Sequence, residues 1–67
     1  MGIEVTGRVI DIDPEKTMKV AIRELPEEVF QVTGIDNASA LKTQDLVTVV
    51  YGKQGSKNVV KSVTKAN

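Results

Sequence analysis

The first strand of this chain reads Val5-Thr6-Gly7-Arg8-Val9-Ile10-Asp11-Ile12-Asp13, and its apolar side changes partway along. One alternating set holds Ile3, Val5, Gly7 and Val9, and the other holds Ile10 and Ile12. Because successive side chains of a strand point to opposite faces, this switch requires a bulge or a sharp coil beside Val9 and Ile10. Gly7 has no Cβ, which permits a close backbone approach there. A long strand that serves two faces predicts a small closed barrel.

The size and composition of the chain limit how it can be stabilised. The chain has 67 residues, which we interpret as a single domain spanning 1–67. A domain of this size buries only about 60% of the surface of its unfolded chain. The chain has no Cys and no His, which excludes disulfides and ordinary zinc sites as supports. A closed sheet, which has no edges, is the remaining economical solution.

The lengths of the apolar runs and the first residues of the chain indicate whether the protein has a membrane segment or a signal peptide. No apolar run approaches the roughly 20 residues that span a membrane, so we expect no membrane segment. Met1-Gly2-Ile3-Glu4 lacks the basic start and the apolar core of a signal peptide. We therefore expect either a cytoplasmic protein or the mature form of a secreted or periplasmic one.

Four further strands are predicted after the first. Asp13-Pro14-Glu15-Lys16 has the composition of a hairpin turn. The second strand ends at Leu25-Pro26-Glu27-Glu28, because proline cannot donate to a central ladder. Residues 29–33 favour a third strand. Leu46 to Tyr51 forms the fourth strand, Gly52 to Lys57 a polar hairpin, and Val59 to Thr64 the fifth strand. The residues predicted to face the core from strands two and three are Met18, Val20, Ile22, Phe30 and Val32.

A short helical turn is predicted between the third and fourth strands. It runs through Ala38-Ser39-Ala40-Leu41, with Asp36 or Asn37 as its cap and Leu41 closing one end of the barrel. Five short strands with one such turn follow the order of the OB fold, a five-stranded Greek-key barrel. The alternative is an SH3-like barrel, which needs a tighter connection than residues 34–44 provide.

Three stretches resemble known proteins. They are Gly7-x-Val9-x-x-Ile12-Asp13, Ala40-Leu41-Lys42-x-x-Asp45-x-Val47-x-Val49 and Lys57-x-Val59-x-x-Ser62-Val63. They resemble small bacterial OB-like domains of unknown function and, more distantly, the periplasmic copper/silver chaperones of efflux systems. The usual pattern has Gly where this chain has Gln44, and a residue other than Gly held at positive φ costs about 1 kcal/mol there. We therefore expect this turn to differ from the usual one.

The second resemblance implies a fold without its metal site. Those chaperones use a His, Met residues and a Trp over the metal. This chain has no His and no Trp, and Met18 is its only internal Met. The metal function is therefore not carried over to any residue, and we predict no metal site and no cofactor.

Charge is distributed unevenly along a chain of zero net charge. Residues 1–45 hold all nine acids and five bases, while residues 46–67 hold four lysines and no acid. The lysines, which we expect to form one basic strip, are Lys53, Lys57, Lys61 and Lys65. Binding of single-stranded nucleic acid also needs exposed aromatic rings, and Tyr51, at a strand end, is the one candidate we expect to be half exposed. The simpler interpretation is that the lysines keep the last hairpin soluble and prevent edge pairing.

Catalysis has few candidate residues in this chain. With no His or Cys, general base work falls to a carboxylate or a lysine, so we predict no enzyme. Asp11, Asp13 and Glu15 offer oxygen ligands for a hard cation, although a solvated turn explains them better.

The prediction is a non-enzymatic accessory domain, a monomer or weak oligomer, that binds a protein or polymer surface. The alternative is a weak, sequence-independent binder of single-stranded nucleic acid.

Overall fold

The computed structural model describes residues 2–22 and 27–66. Its elements, in chain order, are β1 (Ile3–Ile12), β2 (Thr17–Ile22), β3 (Glu28–Gln31), a 3₁₀ helix (Asp36–Ala40), β4 (Leu46–Gln54) and β5 (Lys57–Lys65). The predicted end of the second strand at Leu25-Pro26 lies outside the described residues. Within the described ranges, no helix is long and apolar enough to cross a membrane.

The five strands close into a barrel in the order β1-β2-β3-β5-β4. All neighbouring pairs are antiparallel except β3 and β5, which run parallel over two residue pairs. This is the Greek-key order of an OB fold, with the single helical turn between β3 and β4. The predicted fold is confirmed, and the SH3-like alternative is wrong because the β3–β4 connection holds the 3₁₀ helix.

A bulge lies in β1 where the apolar pattern changes sides. Val9 pairs with Val20 and Asp11 pairs with Lys19, so Ile10 is the extra residue. After the bulge Ile12 packs against the core, whereas Ile10 is 39% exposed. The bulge is confirmed, but the expectation that Ile10 faces the core is wrong, because the extra residue of a bulge has no cross-strand partner to hold it there.

Gly7 lies at a close approach of β1 to β2. A Cβ built on Gly7 would lie 2.5 Å from the Ala21 carbonyl oxygen and 2.6 Å from Val20 Cγ1. Real Cβ atoms do not approach other atoms this closely, so any side chain would push β2 away. The predicted close backbone approach at Gly7 is confirmed.

The core is built from alternate residues of all five strands. Met18, Val20, Phe30 and Val32 are fully buried, as predicted, and Ile22 packs against the core. The rings of Phe30 and Tyr51 meet edge to face, with centroids 4.9 Å apart. The third strand ends at Gln31, before the predicted 33, although Val32 still points inward. β4 and β5 extend further than predicted and are joined by the two residues Gly55 and Ser56.

The 3₁₀ helix covers one end of the barrel. Ala38 is fully buried and Leu41 is 5% exposed, which confirms the predicted role of Leu41 as the closing side chain. The predicted cap is wrong: Ile35 occupies the N-cap position and makes no side-chain capping bond. Asn37 instead donates its side-chain amide to the carbonyl of Val63, which ties the helix to β5.

Candidate functional site

A second bulge divides the basic residues of β5. Val50 pairs with Ser62 and Tyr51 pairs with Val60, so Lys61 is the extra residue in β5. Val60 and Val63 are both buried although they are three residues apart, because the bulge shifts the alternation by one. Lys57 and Lys61 therefore lie on the outer face, but Lys65 does not continue their row.

Lys65 lies at the other end of β5 and contacts an acidic residue. It pairs with Val47, which is buried. Paired residues lie on the same face of the sheet, so Lys65 lies on the inward face of β5, just beyond the core. Its Nζ lies 3.6 Å from Asp45 Oδ2. The expectation that the four lysines form one basic strip is wrong, because Lys65 lies on the inward parity of β5 and contacts Asp45.

Tyr51 belongs to the core. Only 6% of it is exposed, and its ring is held against Phe30, which is fully buried. The expectation that Tyr51 is half exposed is wrong. β4 continues to Gln54, so Tyr51 lies within the strand and not at its end. Since the chain has one Tyr, one Phe and no Trp, it offers no aromatic surface on which a base could stack.

A shallow groove on the β4–β5 hairpin lies beside two of the remaining lysines, Lys53 and Lys61. Gly52 pairs with Val59, and these two residues form its floor. Lys53, Gln54 and Lys61 also line the groove, whose volume is about 290 Å³. Lys57 lies at the start of β5, two residues before Val59 on the same outer face. We call this feature, formed by residues 52–54, 59 and 61, the hairpin groove.

The acidic turn after β1 uses its carboxylates within the turn itself. Asp11 Oδ1 accepts a hydrogen bond from the Ile12 amide at 3.0 Å. Asp13 Oδ1 accepts one from the Glu15 amide at 3.1 Å. In the part of the chain that the structure describes, no three Asp, Glu, His or Cys side chains converge as metal ligands would. These contacts support the interpretation of Asp11, Asp13 and Glu15 as a solvated turn.

Among residues 2–22 and 27–66, the barrel interior offers no accessible donor for a soft metal. Met18, the only methionine within the strands, is fully buried. Its thioether lies among the core side chains, and the chain has no His, Cys or Trp that could join it as a ligand or cover a metal. The residues present therefore do not fit a copper(I) or silver(I) site.

Asn58 is a buried polar residue that the sequence pattern did not indicate. Its Nδ2 donates to the Val29 carbonyl at 3.1 Å and to Glu28 Oε2 at 3.3 Å, which links β5 to the start of β3. Its Oδ1 is buried without a hydrogen-bond partner among the described residues. The prediction began the fifth strand at Val59, one residue too late to place Asn58 on the inward side. Its two bonds reinforce the short parallel seam that closes the barrel.

Comparisons with known proteins bear on the fold. No protein-family model and no curated protein matches the chain. Among solved structures, it is similar to silver-bound CusF, at 22% identity over 98% of this chain and 99% of that one, with a TM-score of 0.82. It is also similar to apo-CusF residues 6–88 from Escherichia coli, at 23% identity over 100% of this chain and 89% of that one, with a TM-score of 0.83.

A third match is silver-bound CusF residues 10–88 from Escherichia coli, at 22% identity, 100% and 94% coverage, and a TM-score of 0.83. These likenesses establish a shared barrel with a silver-binding protein. They agree with the second resemblance found in the sequence and lend no support to the first, with small OB-like domains of unknown function.

Proposed function

We propose that this chain is a non-enzymatic binding domain that holds a protein or another polymer on the outside of its barrel. The observation that carries the proposal is the contrast between the interior and the exterior. The interior is filled by apolar side chains and has no accessible metal donor. The exterior carries shallow open grooves, one of which is the hairpin groove.

A larger groove lies over β1 on the outer face. Thr6, Arg8, Ala21 and Leu46 line it above Gly7, and its volume is about 510 Å³. Val29 on β3 is 47% exposed and lies beside Lys19 on β2. Contiguous exposed apolar side chains with a polar rim mark surfaces that contact other molecules, whereas single ones are common on any protein. The face of strands two and three is also where OB folds commonly bind oligonucleotides and oligosaccharides.

Metal transport is a second candidate, favoured by the likeness to silver-bound CusF. It would make this chain a chaperone for a metal ion in the periplasm, the role of the copper/silver chaperones that its sequence distantly resembles. Against it stand the absence of His, Cys and Trp and the burial of Met18. Binding of single-stranded nucleic acid is a third candidate, for which the exposed Lys53, Lys57 and Lys61 are the only support.

Amide NMR spectra of the full chain test the metal and nucleic-acid candidates against our proposal. We expect silver(I), calcium and a ten-nucleotide oligodeoxythymidine to leave the barrel amides unshifted at micromolar concentrations. Saturable shifts with silver(I) would establish the metal candidate in place of our proposal. Saturable shifts with the oligonucleotide, lost as salt is raised, would establish the nucleic-acid candidate.

A further inference from the structure

We propose that the groove over β1 binds the C-terminal carboxylate of a partner protein, with Arg8 as its charged contact. This inference rests on the proposed function and names the chemistry that the partner presents. The described residues that line the groove are Thr6, Gly7, Arg8, Ala21 and Leu46, and among these five Arg8 alone carries a charge. The volume of about 510 Å³ lies within the range of about 300–1,000 Å³ that is usual for small-ligand sites. The groove therefore has room for the last residues of a chain.

The guanidinium group of Arg8 is held in position by the chain itself. Its Nη1 donates to the Gln44 carbonyl at 2.8 Å, although the side chain is exposed. An arginine has five N–H donors in a planar fork, and this bond uses one of them. Among residues 2–22 and 27–66, no carboxylate forms an ion pair with the group. A positioned fork with donors to spare matches the two oxygens of a carboxylate and loses little freedom when it binds one.

Apolar side chains lie on both sides of Arg8 in the sheet. Arg8 pairs with Ala21 on β2 and with Leu46 on β4, so the three side chains form one row on the outer face. Neighbouring strands are about 4.8 Å apart, and both apolar residues are partly buried. The last residue of a protein carries its carboxylate and its side chain on the same Cα. An apolar C-terminal residue can therefore pair with Arg8 and pack on Leu46 or Ala21 at the same time.

A single terminal carboxylate fits the charges along β1 better than a polyanion does. Thr6 lies two residues before Arg8 on the same face, and its hydroxyl shares a hydrogen bond of 3.1 Å with the hydroxyl of Thr48. Acids lie further along β1 in both directions, at Glu4 and Asp11, and both are exposed. At about 3.3 Å per residue, they are about 13 Å and about 10 Å from Arg8 along the strand. A nucleic acid or an acidic polysaccharide repeats its charge and would bring negative groups towards these acids, whereas a chain end brings one charge to Arg8.

The test is an amide NMR titration of the full chain with two peptides, acetyl-Ser-Gly-Val-Leu with a free carboxylate and the same peptide with a C-terminal amide. We expect the free carboxylate to give saturable shifts centred on residues 6–8, 21 and 46. The amide should bind about fivefold more weakly, which is what a well-aligned exposed ion pair contributes to affinity. Arg8→Gln should weaken binding of the free carboxylate by a similar factor, and Arg8→Lys, which keeps the charge but loses the fork, should restore part of it. The matched control Lys16→Gln removes one exposed positive charge in the turn after β1 and should bind within about twofold of the parent chain.

Because Arg8→Gln also removes the bond to Gln44, the comparison of the two peptides on the unaltered chain decides the inference. Equal affinity for both peptides would show that the groove does not recognise a carboxylate and would overturn it. So would the absence of shifts at residues 6–8, 21 and 46, or tighter binding of acetyl-Gly-Glu-Val-Gly-amide, whose only carboxylate is in a side chain. Tighter binding of oligodeoxythymidine would identify a nucleic-acid site instead. A response to silver(I) at Met18 would overturn the proposed function and leave the amides of the groove over β1 readable as a separate result.

Discussion

Arg8 on β1 holds the carbonyl of Gln44 in the turn before β4, with its Nη1 donating at 2.8 Å. Gln44 has a φ of 78°, and it is the one described residue other than glycine with a positive φ. The turn also bonds to β1 through Val9, which accepts from the Gln44 amide at 2.8 Å and donates to the Asp45 carbonyl at 2.9 Å. The residue just before the β1 bulge therefore fixes the entry to β4.

The turn keeps the conformation that glycine usually provides. The Asp45 amide donates to the Lys42 carbonyl at 3.1 Å, so Gln44 occupies the third position of a β-turn. A positive φ at that position is typical of a type II turn and favours glycine. The expectation that Gln44 changes the turn is wrong, because two hydrogen bonds to β1 hold its backbone in place and a third holds the carbonyl of the next residue, Asp45.

Replacing this glutamine by glycine should stabilise the protein. Gln44→Gly relieves a left-handed conformation that costs about 1–2 kcal/mol, against about 0.5–1 kcal/mol for the added freedom of glycine in the unfolded chain. We expect the free energy of unfolding, measured by urea titration, to rise by about 0.5–1 kcal/mol. Thr43→Gly, at a neighbouring negative φ, should lower it by a similar amount. A loss of stability in both variants would show that Gln44 is not strained.

Replacing Gly7 or Gly52 by alanine should change the free energy of unfolding differently. Gly7→Ala places a Cβ 2.5 Å from the Ala21 carbonyl oxygen and should lower the free energy of unfolding by about 1–3 kcal/mol. Gly52→Ala places a Cβ 3.5 Å from Lys61 Cε, an ordinary contact, and should leave stability unchanged or raise it by up to about 1 kcal/mol. Thermal melting of the two variants measures the contrast. Equal effects would contradict the close approach of β1 and β2.

The bonds of Asn58 should stabilise the parallel seam between β3 and β5. Asn58→Asp replaces the donating amide by a second carboxylate beside Glu28 and Val29, and should lower the free energy of unfolding by about 1–3 kcal/mol. Adding Glu28→Gln removes one of the two carboxylates and restores a donor to the pair. Urea unfolding of the single and double variants should therefore show partial recovery. No recovery would mean that the Asn58–Glu28 contact contributes little.

The fold could be predicted because the alternation of apolar residues in β1 changes from one face to the other beside Val9 and Ile10, which indicates a bulge. The same evidence was present in β5, where Val60 and Val63 have opposite parities and are both buried. Strict alternation without a bulge extends one basic strip through Lys65, whereas the opposite parities of Val60 and Val63 indicate a bulge between them. The positions of Tyr51 and Asn58 depended on strand ends, which alternation alone does not determine. The hydrogen bonds that hold Gln44 come from a different strand, so no local pattern indicates them.

The burial of Met18 is the feature that most clearly separates this barrel from a carrier of soft metal ions. Its methyl group can be followed by NMR in protein labelled with carbon-13 at the methionine methyls, where Met1 provides an internal comparison. With one equivalent of silver(I) at micromolar concentration, we expect an unchanged Met18 methyl resonance. A saturable shift of that resonance would instead make silver(I) the ligand of the barrel and rule out a partner held only on its exterior.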